Sequence, residues 1–186
     1  MLEKLFTSKT RIKILNHLFF EVDETYMREI ASRLKISVSG VKREIDNLEN
    51  VGVIKKKGTK ILLNKNCNFL GDLKNIFVKT DGVIYPIQEA LKNVKADFIF
   101  LFGSFARGDY QEESDVDLMV ITEMKSFDLY KKIRPAEKII NKDINPVVWK
   151  LEEFVKNKDK GFVRDIFKKG IMMIKGDENE LRKIIK

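Results

Sequence analysis

Apolar residues recur at Ile12, Leu15, Leu18 and Phe19, the offsets of a helix that buries one face over Ser8 to Phe20. After the acidic break Glu21-Val22-Asp23-Glu24, Thr25 stands where it can cap a second helix with Met27, Ile30, Ala31 and Leu34 inside. Ser37 stands likewise before a third, on which Val38, Val41, Ile45 and Leu48 form the apolar side. Gly52 ends that helix, and Val53 to Leu63 predicts two strands around a turn at Lys57 to Lys60.

Beyond the polar break Asn64 to Asn68 the helical period returns, first at Leu70, Leu73, Ile76 and Phe77 and then, after Asp81-Gly82, at Ile84, Ile87, Leu91 and Val94. Pro86 suits the first turn of the second of these helices. The period then changes. Phe98 to Phe102 is an unbroken apolar run of strand length, so both of its faces must be covered. It stops at Gly103-Ser104, a short helix is expected at Phe105-Ala106-Arg107, and Asp115 to Ile121 predicts a second strand. A helix over Phe127 to Ile140, a strand over 144–150, helices over 151–157 and 161–169, a strand over 171–175 and a terminal helix over 180–186 complete the pattern.

At about 100° per residue the third helix turns Ser39, Gly40, Arg43 and Asn47 away from its apolar stripe, with Lys42 at the edge. A helix face with little bulk, an arginine and free first-turn amides is what entry into a DNA major groove requires. Three helices and a basic hairpin resemble the winged helix-turn-helix regulators over residues 8 to 64. Under that resemblance Ser37, Ser39, Lys42, Arg43 and Asn47 face the duplex, and Lys55, Lys56, Lys57 and Lys60 meet phosphates. The competing use of the same domain is protein contact or dimer formation.

Charge supports a polyanion partner for this part of the chain. The 186 residues carry a net charge of +8. Residues 1–66 hold 14 Lys/Arg against 8 Asp/Glu, and the remainder 22 against 20, so +6 of the excess lies in the first third. The single cysteine, Cys67, excludes an internal disulfide, and the spacing of Cys67 and His17 offers no structural zinc site. His17, the only histidine, lies in the apolar helical pattern and reads as an ordinary, partly buried helix residue. No run approaches the roughly 18 apolar residues of a membrane span, and Met1-Leu2-Glu3-Lys4 does not lead into a signal-peptide core, so no membrane association and a cytoplasmic location are expected.

The sharpest chemistry lies in the second part. Asp115 and Asp117 are two apart, so on a strand they share a face about 7 Å apart and repel unless a cation lies between them. A hard divalent ion held by one or two carboxylates together with substrate phosphates relieves that repulsion. Gly103 lets the backbone approach a ligand, and the Ser104 hydroxyl and first-turn amides can donate to a phosphate oxygen.

Gly103-Ser104, ten intervening residues and Asp115-x-Asp117 resemble the signature of the DNA-polymerase-beta-like nucleotidyltransferases, especially their minimal prokaryotic members. The wider run Phe102-Gly103-Ser104-Phe105-Ala106-Arg107-Gly108 through Ser114-Asp115-Val116-Asp117-Leu118-Met119-Val120 is similar almost throughout. The resemblance implies Asp115 and Asp117 as ligands of Mg²⁺ and a nucleoside triphosphate, Gly103 and Ser104 as the phosphate grip, and Arg107 as added charge. It also implies transfer of a nucleoside monophosphate to an acceptor with release of pyrophosphate. The family's third carboxylate falls on Asn145, which can coordinate through its oxygen but accepts a proton poorly. Asp143 shares that face on a regular strand, whereas Glu137, Glu152 and Glu153 are less well placed.

The expectation is an α+β chain: a winged helix-turn-helix domain at 1–66, then a minimal nucleotidyltransferase-like domain at 67–186 with a mixed sheet and flanking helices. The expected partners are double-stranded DNA, a nucleoside triphosphate and a protein acceptor, and paired modules favour a homodimer. Three functions compete: a transferase coupled to DNA binding, a transcriptional regulator whose transferase-like domain binds nucleotide with little turnover, and a docking protein.

Overall fold

A computed structural model describes residues 2–185, and they form two compact units, one ending at Gly82 and the other starting at Val83. The first holds α1 (Leu2–Leu5), α2 (Lys9–Phe20), β1 (Glu24–Tyr26), α3 (Met27–Leu34), α4 (Val38–Asn50), β2 (Ile54–Lys57), β3 (Lys60–Leu63) and α5 (Leu70–Phe77). The three strands make an antiparallel sheet in the order β1-β3-β2. Ile14, Leu15 and Leu18 of α2, Ile30 of α3, Val41 and Ile45 of α4, and Ile54 and Ile61 of the hairpin are its buried centre.

Local chemistry sets each helix start. Ser8 Oγ accepts from the Arg11 amide and Ser37 Oγ from the Gly40 amide, so both serines cap, Ser37 as its position in the sequence implies. Thr25 does not cap. Its β-branched side chain is buried in β1 opposite Ile61, and α3 begins one residue later, where the Glu29 carboxylate reaches back to the Tyr26 amide at 3.1 Å. The turn between β2 and β3 needs Gly58 at φ 63°, and Lys57 pairs with Lys60 across it.

The unit ends later than the polar break implies because α5 belongs to it. Phe77 is fully buried and meets Phe19 edge-on at 5.1 Å and Phe6 at 6.0 Å. Ile14 and Phe20 are buried beside the four expected residues of α2. Within α5 only Phe77 is buried, and Ile76 is exposed.

The second unit holds α6 (Ile84–Leu91), β4 (Phe98–Phe102), α7 (Gly103–Arg107), β5 (Val116–Ile121), α8 (Ser126–Ile140), β6 (Ile144–Trp149), α9 (Leu151–Asn157), α10 (Gly161–Lys169), β7 (Met172–Lys175) and α11 (Glu178–Ile185). Its sheet runs β6-β5-β4-β7, with β5 and β6 parallel and the other pairings antiparallel. The parallel pair is joined by α8, as a parallel crossover demands. All five residues of β4 are buried. One face puts Phe98, Phe100 and Phe102, with Met119 and Ile121, against Phe154, Val163, Ile166 and Leu181. The other carries buried Ile99, Leu101, Leu118 and Val120, while α6 and α8 pack together through a region holding Ile87, Leu91, Leu129 and Ile133. The chain is thus helical and winged at its N-terminal end and a mixed sheet with flanking helices after it, as the pattern implies. Among the described residues no helix is long and apolar enough to cross a membrane.

Candidate active site and candidate nucleic-acid face

Register brings the signature residues together. Phe102, the last residue of β4, pairs with Asp117 of β5, and Asp117 pairs with Asn145 of β6, so the three strands meet at one level. Asp115 immediately precedes β5, and the Asn145 side-chain amide donates to its Oδ2 at 3.0 Å. Asn145 therefore reaches the acidic pair, on the Asp115 side. Asp115 is exposed and Asp117 partly buried.

Chain reversal after β4 sets Gly103 at φ 71°, and a Cβ there would overlap the Asp117 carboxylate and lie 2.9 Å from its Cγ. Only glycine lets Asp117 lie against the start of α7. Phe102, at the N-cap position of α7, has no side chain that can cap its first turn. Ser104 is partly buried in that turn, and its carbonyl accepts from the Gly108 and Asp109 amides. Gly108, at φ 83°, closes the helix. Arg107 is exposed and its Nε donates to Asp109 Oδ2 at 3.0 Å.

Burial, then the negative charge of Asp115, push the Asp117 carboxyl above its ordinary value, while Arg107 pulls it back. Two carboxylates are the protein's share: among the described residues no group of three or more His, Cys, Asp or Glu side chains converges as a metal cage. A Mg²⁺ ion that shares its coordination with substrate phosphates needs no more than one or two carboxylates, so the donor set fits. Asp143 lies outside β6, and its carbonyl accepts from the Val116 amide. It borders a pocket of about 420 Å³ with Glu113, Ser114, Asp115 and Lys142.

On the first unit, α4 exposes Ser39, Lys42 and Arg43, whereas Asn47 is only partly exposed and hydrogen-bonds to Glu44. Asn47, expected on the outward face, is thus less open than Ser39 and Arg43. Val38, expected inside, is 51% exposed. It lies in the first turn, ahead of the residues that α2 and the hairpin cover.

The four wing lysines divide. Lys55 and Lys57 are exposed on one side of β2. Lys56 points the other way and pairs with Asp46 at 2.7 Å and Glu49 at 2.6 Å on α4, and Lys60 pairs with Glu24. Lys56 and Lys60 thus brace the wing in this structure, and Lys55 and Lys57 are the pair turned outward.

Glu44 is the feature that the apolar pattern hides. It is 3% exposed, accepts from Ser8 Oγ at 2.9 Å and from Arg11 Nε at 2.9 Å, and so fastens α4 to the start of α2. Burial raises its carboxyl, and the bonds from Ser8, Arg11 and Asn47 outweigh this and leave it below the ordinary range. A carboxylate three residues after Val41 and four before Leu48 sits within the apolar stripe, and that was the available signal. His17 is buried and bonded to Glu21 one turn on at 3.0 Å, and Glu21 also accepts from Arg33, so the histidine is held within the helix packing.

A sheet in the order β6-β5-β4-β7 with a glycine-serine turn facing an Asp-x-Asp pair defines a nucleotidyltransferase fold. Residues 86–179 match the polymerase beta nucleotidyltransferase family, and the chain belongs to it. Residues 1–78 match the Mga helix-turn-helix domain, so a DNA-binding type of module precedes the transferase fold. Two Methanocaldococcus jannaschii proteins with provisional names as protein adenylyltransferases are similar to this chain. MJ0141 is 38% identical over 37% of this chain and 80% of its own length, and MJ0604 is 36% identical over 39% and 72%. Among solved structures, a toxin-antitoxin crystallised with AMP-PNP superposes at TM-score 0.43 and 15% identity, covering 55% of this chain and 80% of that one. A nucleotidyltransferase-type protein from Sulfolobus solfataricus gives 0.34 and 18%, covering 58% and 89%.

Proposed function

We propose that this chain is a DNA-binding nucleotidyltransferase that moves a nucleoside monophosphate from a triphosphate to a hydroxyl of a protein, with release of pyrophosphate. The observation that carries the reading is the close fit of the Asp117 carboxylate over side-chain-free Gly103, next to Asp115. It sets the first turn of α7, whose N-cap is a phenylalanine, and two carboxylates around one space. The relatives named as protein adenylyltransferases support a protein acceptor and an adenylyl group.

Asp115 and Asp117 are the residues that would hold Mg²⁺, which supplies charge neutralisation at the phosphates. The rest falls to the chain. Gly103 and Ser104 orient the triphosphate through amide and hydroxyl donors, and Arg107 leaves Asp109 to add positive charge beside it. Asn145 holds Asp115 in place by its amide but cannot take the acceptor's proton, which limits turnover. That last point favours a second reading, a regulator that binds triphosphate through the same residues and transfers slowly.

Calorimetry of the full chain with Mg²⁺ and each triphosphate, beside a D115N/D117N double variant, tests the site. Loss of metal-dependent binding with an unchanged fold is expected. Equal binding by both proteins overturns the assignment. Incubation with labelled ATP, CTP, GTP and UTP and host lysate, beside the D115N/D117N variant as background, then separates the readings by rate: label on protein well above that background is the transferase's result, and label close to it is the regulator's.

A further inference from the structure

The exposed face of α4 is not uniformly polar. Around the helix, Val41, Glu44, Ile45 and Leu48 point inward, and the outward arc holds Val38, Lys42, Ser39 and Arg43 in that angular order. Val38 is the first residue of the helix, one position after the Ser37 cap. It exposes half of a branched apolar side chain at the edge of that arc, where Lys42, four residues on, is its neighbour.

An exposed valine by itself is ordinary on a protein surface. Its neighbours give it meaning. Lys42 and Arg43 provide charge for phosphates on the same arc, and +6 of the net charge lies within residues 1–66. A helix presented to a major groove by its first turns brings its outward N-terminal side chains closest to the base edges. The one apolar group on a base edge in that groove is the C5-methyl of thymine.

We infer that Val38 is a sequence-determining residue that packs on a thymine methyl in the major groove, with Ser39 beside it and Lys42 and Arg43 anchoring the helix. The inference rests on the duplex-binding reading of the first unit and adds to it a base preference. Lysines fix affinity without a preference among sequences, whereas Val38 supplies one.

The test uses the full chain. Duplexes selected from a randomised pool at low salt give the site, and each thymine in it is then replaced by uracil, which pairs identically and lacks only the methyl. Wild type loses about fourfold in affinity at one position, the value of a single buried methyl group. The V38A variant binds the thymine duplex more weakly and no longer distinguishes uracil there. Because Val38 is exposed, its melting temperature stays at the wild-type value. K57Q weakens thymine and uracil duplexes alike and keeps their ratio. A thymine-to-uracil ratio that is the same in wild type and V38A overturns the Val38 assignment and leaves duplex binding standing. No duplex recovered from any pool overturns both.

Discussion

Asp117 occupies the space that a side chain on Gly103 would need. The Cγ of its carboxylate would lie 2.9 Å from a Cβ at that position, and the Cβ of Asp117 only 3.2 Å away. Backbone conformation and carboxylate placement are therefore one arrangement, made by the pairing of Phe102 with Asp117 across β4 and β5.

Replacing Gly103 by alanine tests this coupling twice over. The φ of 71° costs a non-glycine residue about 1–2 kcal/mol, and the new methyl drives Asp117 out of its position. Thermal melting should show the modest stability loss. Calorimetry should show a much larger loss of Mg²⁺-triphosphate binding, tenfold or more. Unchanged binding in a folded G103A protein would mean that the triphosphate does not meet this turn.

The Asp117 carboxyl carries a pH signature of its own. Burial and Asp115 raise its folded value. Below the unfolded value of about 3.9 both states are protonated and no penalty exists. The penalty grows as pH climbs from there through the raised folded value and is complete above it. D117N, which cannot ionise, should therefore match wild type in denaturant stability near pH 3 and exceed it at pH 7. Curves that stay parallel across this range would show that Asp117 is not electrostatically strained.

Much of this site was legible in the sequence because it depends on local spacing. Asp115-x-Asp117, the glycine at a strand end and the apolar run before it each fix a backbone requirement within a few residues. Two features escaped because they depend on distant partners. Thr25 is drawn into a strand by Ile61, and α5 is drawn onto the first unit by Phe19 and Phe6. The lysines show the same limit. Four look equivalent in sequence, and only the acids of α4 and β1 separate Lys56 and Lys60 from Lys55 and Lys57.

That separation predicts unequal effects on duplex binding. K55Q/K57Q should flatten the dependence of log affinity on log salt by about 2, close to one unit for each phosphate that a lysine no longer neutralises. K56Q should change the slope little and lower the melting temperature instead, since it loosens the wing from Asp46 and Glu49. Fluorescence titrations across salt concentrations read the slopes. Equal slopes for the two variants would show that the wing does not lie on the backbone in this orientation.

Glu44 links stability of the first unit to acid. Its folded value is depressed by Ser8, Arg11 and Asn47, so its contribution is present in full above the unfolded value of about 4.3 and disappears as pH falls through the folded one. E44Q should remove that acid-side slope. E44A should cost about 1.5–3 kcal/mol at pH 7, because Ser8 and Arg11 lose a charged acceptor. Urea unfolding between pH 3 and 7 measures both.

Under the proposed function, Asn145 is the residue on which turnover or sensing depends. Its amide donates to Asp115 Oδ2 and so fixes that carboxylate without adding charge or basicity. An aspartate in its place would put a third carboxylate beside Asp115, where it could take the proton of an acceptor hydroxyl, and would replace a donated hydrogen bond by repulsion. N145D should therefore be less stable than wild type without metal, recover on addition of Mg²⁺, and transfer label faster when acceptor and triphosphate are supplied. A general base typically contributes at least a hundredfold, and a gain of tenfold or more is expected here. Radiolabel transfer per minute at saturating Mg²⁺ and triphosphate gives the rate, on an acceptor recovered from the lysate incubation. Robust transfer by wild type that falls in N145D would place the proton acceptor elsewhere. Asp143, which borders the same pocket as Asp115, is then the residue to replace first.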